Sequence, residues 1–445
     1  MEANWPMIFL VLFVTAITVY IGRLWFKRWF NPLSLYSAIW GFCLCTYEFR
    51  LIQFYPVSKE ASFDIVLAWL SLYAGAGITL LFIGGQRIRR SPKIDMNRLK
   101  KAIIVLSIIG GVGVIDELRV VSSSFGGMLL AIFVNGNDIY REKLTGDLSW
   151  IPYIGAFLYA ACSLAGVYTA RIGKPTALAF VPLVLLALNN IFSMIRAGVI
   201  MALFLFLTSY LLTPREGRLR VARWQGIMAV VMAVLVFGGG FALVSSTRGL
   251  GVDFPGMTPA IDRISEYIPV FPSLYANLAA PPVAFSQYLA TPEVTKNNIW
   301  GEYTFKPILR LLNRLGFAFR VPYLEESYDT PVPMNTATYL KNVYSDFGFA
   351  GIPLFPFVLG ALATFLTIRI ARSPSLFDLM LLSNIYLLIL SSPAVDLMVL
   401  GDWYISLGVS CVAGLLIQRR STGGKLLRRD RPDGMHDSKA ATANS

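Results

Sequence analysis

Charge is scarce in this chain and histidine is nearly absent. Of 445 residues, 15% are Asp, Glu, Lys or Arg, against about 25% in an average soluble domain. The one histidine, His436, lies in a polar terminal stretch. That excludes chemistry needing an imidazole within an apolar region. Four cysteines, at 43, 45, 162 and 411, all fall inside apolar runs, where free Cys behaves as a small hydrophobe. Cys43 and Cys45 lack zinc-site spacing and a neighbouring His, so neither a metal site nor a disulfide framework is implied. No GxGxxG, Walker, HExxH, CxxC or GxSxG pattern occurs in a usable context. Nucleotide-driven chemistry and zinc hydrolysis therefore have no support, and no cofactor is expected.

What the chain has in abundance is apolar sequence, 56% of its residues. It comes in blocks, each long enough to cross the roughly 30 Å hydrocarbon layer as a helix. Windows of about 19 residues predict about 11 spans. They run over 5–26, 32–54, 63–85, 101–118, 150–170, 176–192, 194–212, 226–246, 347–368, 375–391 and 397–417. The runs are too uniformly apolar for alternating barrel strands. The expectation is an all-α polytopic membrane protein. The first run reads as a span and not as a cleaved signal: it is long, its basic flank of Arg23, Lys27 and Arg28 follows it, and no A-x-A site appears.

Most of the 39 Lys and Arg fall in every second connection and in the tail, with RIRRSPKIDMNRLKK the densest run. The positive-inside rule then places the amino terminus outside and the carboxyl terminus in the cytoplasm. The net charge of +13 is a signature of topology and implies no nucleic-acid partner. The basic tail, 419–445, reads as a disordered cytoplasmic end near anionic lipid. The bulk lies outside. Residues 119–149 form one long outer segment. Residues 247–346 form another, and loops of such length are usually functional. Its apolar and aromatic content predicts short helices lying over the outer face. The chain thus divides into spans at 1–246, the outer loop at 247–346, further spans at 347–418, and the tail.

Lys306, Arg310 and Arg314 recur every four residues, a basic stripe on one helical face. Two readings stand: nonspecific contact with lipid phosphates, or a cradle for the phosphates of a lipid-linked substrate. Arg196, in NNIFSMIRAGVIM, and Arg248, in VSSTRGLG, lie near outer ends of spans. Each is either a snorkelling side chain or half of an outward-facing anion site. Asp116 and Glu117, in GVIDELRV, either do acid–base work or mark the exit of the fourth span. Glu48 and Arg50, two apart, do not share a helical face; they line a cavity or pair elsewhere. Asp402 lies within the last span and needs a partner or water, whereas Asp396 reads as a solvated turn residue. In TYLKNVYSDFGFAGIPL, residues 338–354, Lys341, Asn342, Tyr344 and Asp346 crowd the mouth of a span, where desolvation is costly. Asp346 there is either a base or a helix-start charge favoured by the dipole.

Four stretches, NPLSLYSAIW, SMIRAGVIM, SSTRG before the long loop, and TYLKNVYSDFGFAGIPLFPFVLG after it, carry a resemblance. In them and in span layout the chain resembles the Wzy-type oligosaccharide repeat-unit (O-antigen) polymerases of bacterial envelopes. The resemblance implies a GT-C-like glycosyltransferase of the inner membrane, acting on the periplasmic side without metal or nucleotide sugar. It implies transfer of a growing glycan from undecaprenyl pyrophosphate to the non-reducing end of an incoming lipid-linked unit. A chain-length regulator and a flippase are the implied partners. Outer-loop arginines bind substrate in that family, a role carried to Arg196 and Arg248, and by loop position to Arg310, Arg314 and Arg320. The R-x10-G pattern of some family loops is present at none of them. The related O-antigen ligases use an outer-loop His, and this chain has none there.

In such a reaction Arg would neutralise charge developing on the pyrophosphate, and the protein would align an acceptor hydroxyl. Asp346, Asp116 and Glu117 are the candidate bases. Tyr344 and the loop residues Tyr267, Tyr275, Trp300, Tyr303, Tyr323 and Tyr328 would stack on or contact sugars. Three rivals remain: a flippase for lipid-linked saccharide, an O-antigen ligase, and a non-catalytic scaffold. A transporter would carry internal repeats and a cavity open to both sides; no two-half repeat is visible.

Overall fold

A computed structural model describes residues 3–83, 94–125, 135–136, 138–139, 153–195, 197–214, 254–291, 301–319, 327–331, 333–334 and 336–418. The described chain is mostly helical. Among the described residues, seven α-helices precede the loop: α1 (Trp5–Phe26), α2 (Pro32–Glu48), α3 (Lys59–Ile83), α4 (Met96–Phe125), α5 (Phe157–Ile172), α6 (Ala177–Phe192) and α7 (Ala197–Leu212). Four short α-helices follow among the described residues: α8 (Pro259–Tyr267), α9 (Phe271–Ala279), α10 (Pro281–Ala290) and α11 (Lys306–Arg314). A two-residue antiparallel pair, β1 (Tyr328–Asp329) with β2 (Pro333–Met334), interrupts the helical pattern expected of this stretch. The chain then continues through α12 (Tyr339–Phe347), α13 (Gly351–Arg372), α14 (Leu376–Ser391) and α15 (Gly401–Ile417). The expected span at 226–246 and the tail at 419–445 lie outside the described residues.

Among the described residues, three helical stretches are long and apolar enough to cross a membrane: Trp5–Phe26, Lys59–Ile83 and the broken pair Tyr339–Arg372. Several shorter apolar helices accompany them. The apolar surface marks the chain as a membrane-associated protein. Helix α1 buries only Ile8 and Gly22, while Phe9 and Phe13 are about two-thirds exposed. On α3, Leu81 and Phe82 are more than four-fifths exposed. Apolar area on that scale is unfavourable against water and natural against lipid.

Local sequence explains several boundaries. Asn31 caps α2 by accepting the Ser34 N–H at 2.9 Å, with Pro32 at the first helical position, where its missing N–H costs nothing. Helix α2 stops at Glu48, short of the expected 54, because Arg50 takes a left-handed φ of 52° and Leu51 leaves to meet the loop. There Glu48 and Arg50 do meet, at 3.8 Å; the helix end removes the facial separation their spacing would impose. Helix α4 continues to Phe125, so Asp116 and Glu117 lie within a helix and do not end one.

Helices α3 and α13 approach backbone to backbone. A Cβ at Gly75 would strike the Phe357 carbonyl, and one at Gly360 would strike the Leu72 carbonyl. Small residues at such crossings let helices associate where lipid gives no hydrophobic drive. The main core gathers Tyr36, Trp40, Trp69, Leu72 and Tyr386. A second packs Leu158, Leu186, Leu205 and Trp403.

The bundle has two distinct ends. At one, Arg372 donates to the Ile83 carbonyl, Arg98 donates to that of Leu416, and Ile94 pairs with Gln418. At the other, the loop helices form a layer over the helix ends. Tyr275 of α9 donates to the Thr46 carbonyl at 2.7 Å and accepts the Leu51 N–H at 3.0 Å. Ser286 of α10 accepts the Ser58 N–H at 2.9 Å. A small core of Ile52, Ile261, Tyr275 and Ala279 seals that seam.

Candidate functional site

Helix α12 is the hub of the loop-bearing end. Its nine residues include Lys341, Asn342, Ser345 and Asp346, all buried. Burying such groups costs free energy unless each is paired, and each has a partner from another element. Asp346 is 1% exposed. Its Oδ1 accepts the Tyr303 N–H at 2.9 Å and its Oδ2 the Thr304 N–H at 2.6 Å. The carboxylate thereby fixes the turn that leads into α11. Ser345 Oγ contacts the Tyr288 hydroxyl at 2.8 Å, tying α12 to α10.

The fixed turn in turn presents Tyr303 to Lys341. The Lys341 Nζ lies 5.1 Å from the Tyr303 ring centroid, 5.8 Å from that of Tyr328 and 5.9 Å from that of Tyr288. Three tyrosine rings from three segments thus surround one ammonium, within the range of cation–π attraction. Tyr288 and Tyr328 meet edge to face at 6.1 Å. Tyr344, half-buried, meets Tyr288 edge to face from the other side.

Asn342 donates to Asp396 Oδ2 at 3.1 Å, and Asp396 Oδ1 accepts the Met398 N–H at 2.9 Å. Asp396 is therefore buried and caps a short 3₁₀ turn, Leu397–Val399. This corrects the expectation of a solvated residue. The turn after the 391–395 segment folds back onto α12, which short-range sequence could not show. Gly348, at φ 60° and ψ −156°, makes the bend from α12 into α13, a backbone state open essentially to glycine alone.

A second polar cluster lies at the same end. Glu117 is 5% exposed and its Oε2 accepts the Ser193 hydroxyl at 2.8 Å. Both Glu117 and Asp402 lie within electrostatic reach of Tyr159. Asp116, beside it on α4, is half-buried. The two clusters are built from different helices, and the 392–402 connection runs between them: Asp396 faces α12, and Asp402 opens α15 beside α5.

The basic stripe forms the expected helix, α11. Lys306 is 8% exposed and Arg310 half-buried, whereas Ile308, Leu311 and Leu315 are exposed. The helix thus presents its apolar residues outward and holds Lys306 inward, against the simpler picture of a basic face lying on phosphates. Arg314 ends the helix. Arg196, Arg248 and Arg320, with Trp300 and Tyr323, lie outside the described residues. Tyr267 is 85% exposed on the roof. Burial pushes the Tyr275 hydroxyl up to about 12, so it stays a neutral donor. The Asp329 carboxylate raises that of Tyr55, which donates to it at 3.2 Å.

Among the described residues no group of three or more His, Cys, Asp and Glu is placed to hold a metal ion. Lys341, Asn342, Tyr288 and Asp396 were not among the site residues that sequence singled out as chemical. The dense polar run at 341–346 was the available signal. No protein-family model, curated protein or solved structure matches the chain.

Proposed function

We propose that the chain is a repeat-unit polymerase of the Wzy type, transferring a growing glycan from undecaprenyl pyrophosphate to the non-reducing end of an incoming lipid-linked unit at the periplasmic face of a bacterial inner membrane. One observation carries the reading. The polar residues of α12 are buried against α10 and the 301–305 turn, and three tyrosines converge there on Lys341. A membrane helix mouth that keeps four polar groups desolvated and mutually positioned suits a chamber for hydroxyl-rich substrate better than a lipid contact.

In the reaction the acceptor hydroxyl oxygen bonds to the anomeric carbon of the donor glycan. The bond from that carbon to the pyrophosphate oxygen breaks, and its electron pair leaves with the lipid pyrophosphate. The hydroxyl proton passes to a carboxylate. Arg196 and Arg248 neutralise the departing diphosphate, with Arg310, Arg314 and Arg320 extending the cradle. Asp346 already accepts two backbone amides, so in this reading it positions the floor and the proton goes to Asp116 or Glu117. Tyr344 and Tyr303 contact sugar rings.

The test is a proteoliposome assay supplied with undecaprenyl-pyrophosphate repeat units. Glycan ladders from the intact protein are the expected product. Arg196→Ala and Arg248→Ala should each slow ladder formation by about 100-fold, the typical loss when one charge-stabilising group is removed. Ladders undiminished by either replacement would remove the arginine assignment. Transbilayer movement without ladders would make the chain a flippase, and transfer only to a lipid A core acceptor would make it a ligase.

A further inference from the structure

A small, partly open cleft of about 30 Å³ lies at the amino-terminal end of α12. Tyr328, Thr336, Thr338, Lys341, Asn342 and Asp396 line it. Thr338 stands at the N-cap of α12, yet its side chain makes no capping bond. Its Oγ1 and that of Thr336 are buried without a hydrogen-bond partner in the protein, and Thr338 is 1% exposed. A buried hydroxyl left unmatched is unfavourable. Both residues line the cleft, so a polar group entering it stands beside two unmatched hydroxyls.

We infer that this cleft is a subsite for a single hydroxyl or hydroxymethyl group of a neutral saccharide, with the sugar ring remaining outside. The charge pattern selects the ligand class. One ammonium, Lys341, and one carboxylate, Asp396, face the same space and offset each other. A phosphate would meet the carboxylate, and a cation would meet the ammonium. A hydroxyl both donates and accepts, so it can satisfy the threonines and the flanking charges at once. The volume selects the size. It exceeds the roughly 10–15 Å³ that a single water needs, so the cleft admits one small exocyclic group. The walls are held before binding: Lys341 by its three tyrosines, Asp396 by Asn342 and the Met398 amide.

The inference deepens the polymerase reading and rests on it for the identity of the physiological sugar, but its test reads binding alone. Full-length protein in detergent is titrated with a panel of methyl hexosides and their 6-deoxy counterparts, followed by saturation-transfer NMR. The expected result is saturable binding of at least one hexoside. Thr338→Val and Thr336→Val should each weaken it about tenfold, the worth of one buried hydrogen bond. The 6-deoxy analogue should bind the intact protein at least as weakly as the parent binds Thr338→Val, with no further loss when Thr338→Val is combined with it. Thermal unfolding of the valine variants should lie at or above that of the intact protein, since the hydroxyls lack protein partners.

Absence of saturable hexoside binding overturns the inference, leaving a cleft that holds solvent. Binding unchanged in both valine variants overturns it as well, as does competition by inorganic phosphate at equal concentration. Hexoside binding lost in Thr338→Val while the proteoliposomes make no ladders would uphold the subsite and sink the polymerase reading. Ladders with hexoside binding indifferent to both valines would do the reverse.

Discussion

At the basic end of the bundle, the arginines stay half in solvent. Arg98 is 58% exposed where it faces Asp95 at 3.6 Å, and Arg369 is 50% exposed where it faces Asp378 at 3.2 Å. Their acidic partners are near in sequence, three residues from Arg98 and nine from Arg369. At the loop-bearing end the polar groups are buried, and their partners come from distant segments: Asp346 from 301–305, Ser345 from α10, Asn342 from the 392–400 connection. Trp40 donates to Ser392 across the same seam at 2.9 Å. The first arrangement needs no exact geometry and suits topological anchoring. The second sacrifices solvation to fix positions, which a membrane protein sustains where position itself is used.

The comparison breaks most visibly at Asp346. Asp346→Ala leaves the Tyr303 and Thr304 amides without their acceptor, beneath the roof. A loss of about 3 kcal/mol is expected, seen as a large drop in unfolding temperature in detergent. The turn at 301–305 should also detach, so protease cutting before α11 should accelerate. An unfolding temperature unchanged by the replacement would mean that this end is no more tightly organised than the other.

The contrast between ends was only half legible in the sequence. Apolar runs gave the helices, because lipid demands internally bonded apolar segments of sufficient length. Most helix positions agree within a few residues. The pairing of Glu48 with Arg50 escapes spacing rules because they hold only within a helix, and Arg50 lies past the end of one. Local sequence makes Asp396 a solvated turn residue; its burial comes from Asn342, 54 residues away in sequence. The cage around Lys341 draws on residues 288, 303 and 328, which no local pattern joins. The 341–346 run signalled that something was buried there, since unpaired charge at a span mouth is unfavourable. It could not say that the partners would be backbone amides and tyrosine rings.

Tyr275 sharpens the contrast through pH. Its hydroxyl bridges the roof to α2, and burial moves it from 10.0 to about 12. A folded value above the unfolded one means the neutral form is favoured in the fold. Its contribution is complete below pH 10 and fades as pH rises toward 12. Tyr275→Phe should cost about 1–2 kcal/mol at neutral pH through two lost hydrogen bonds. It should also flatten the fall in unfolding temperature between pH 10 and 12. A variant as steeply pH-dependent as the intact protein would place the sensitive group elsewhere.

The smallest effect belongs to the basic end. Arg98 contributes an exposed ion pair to Asp95 and one bond to the Leu416 carbonyl. Exposed pairs recover little, because water solvates both charges nearly as well and ordering a long side chain costs entropy. Arg98→Ala should therefore shift stability by less than about 1 kcal/mol, and the shift should shrink further in 1 M salt, where the screening length is about 3 Å. Asp95 keeps its role after the replacement, since its Oδ1 also accepts the Asn97 N–H at the start of α4. If Arg98→Ala instead matched Asp346→Ala in size, the two ends would be governed by the same energetics. The burial at the loop-bearing end would then carry no special meaning for a site.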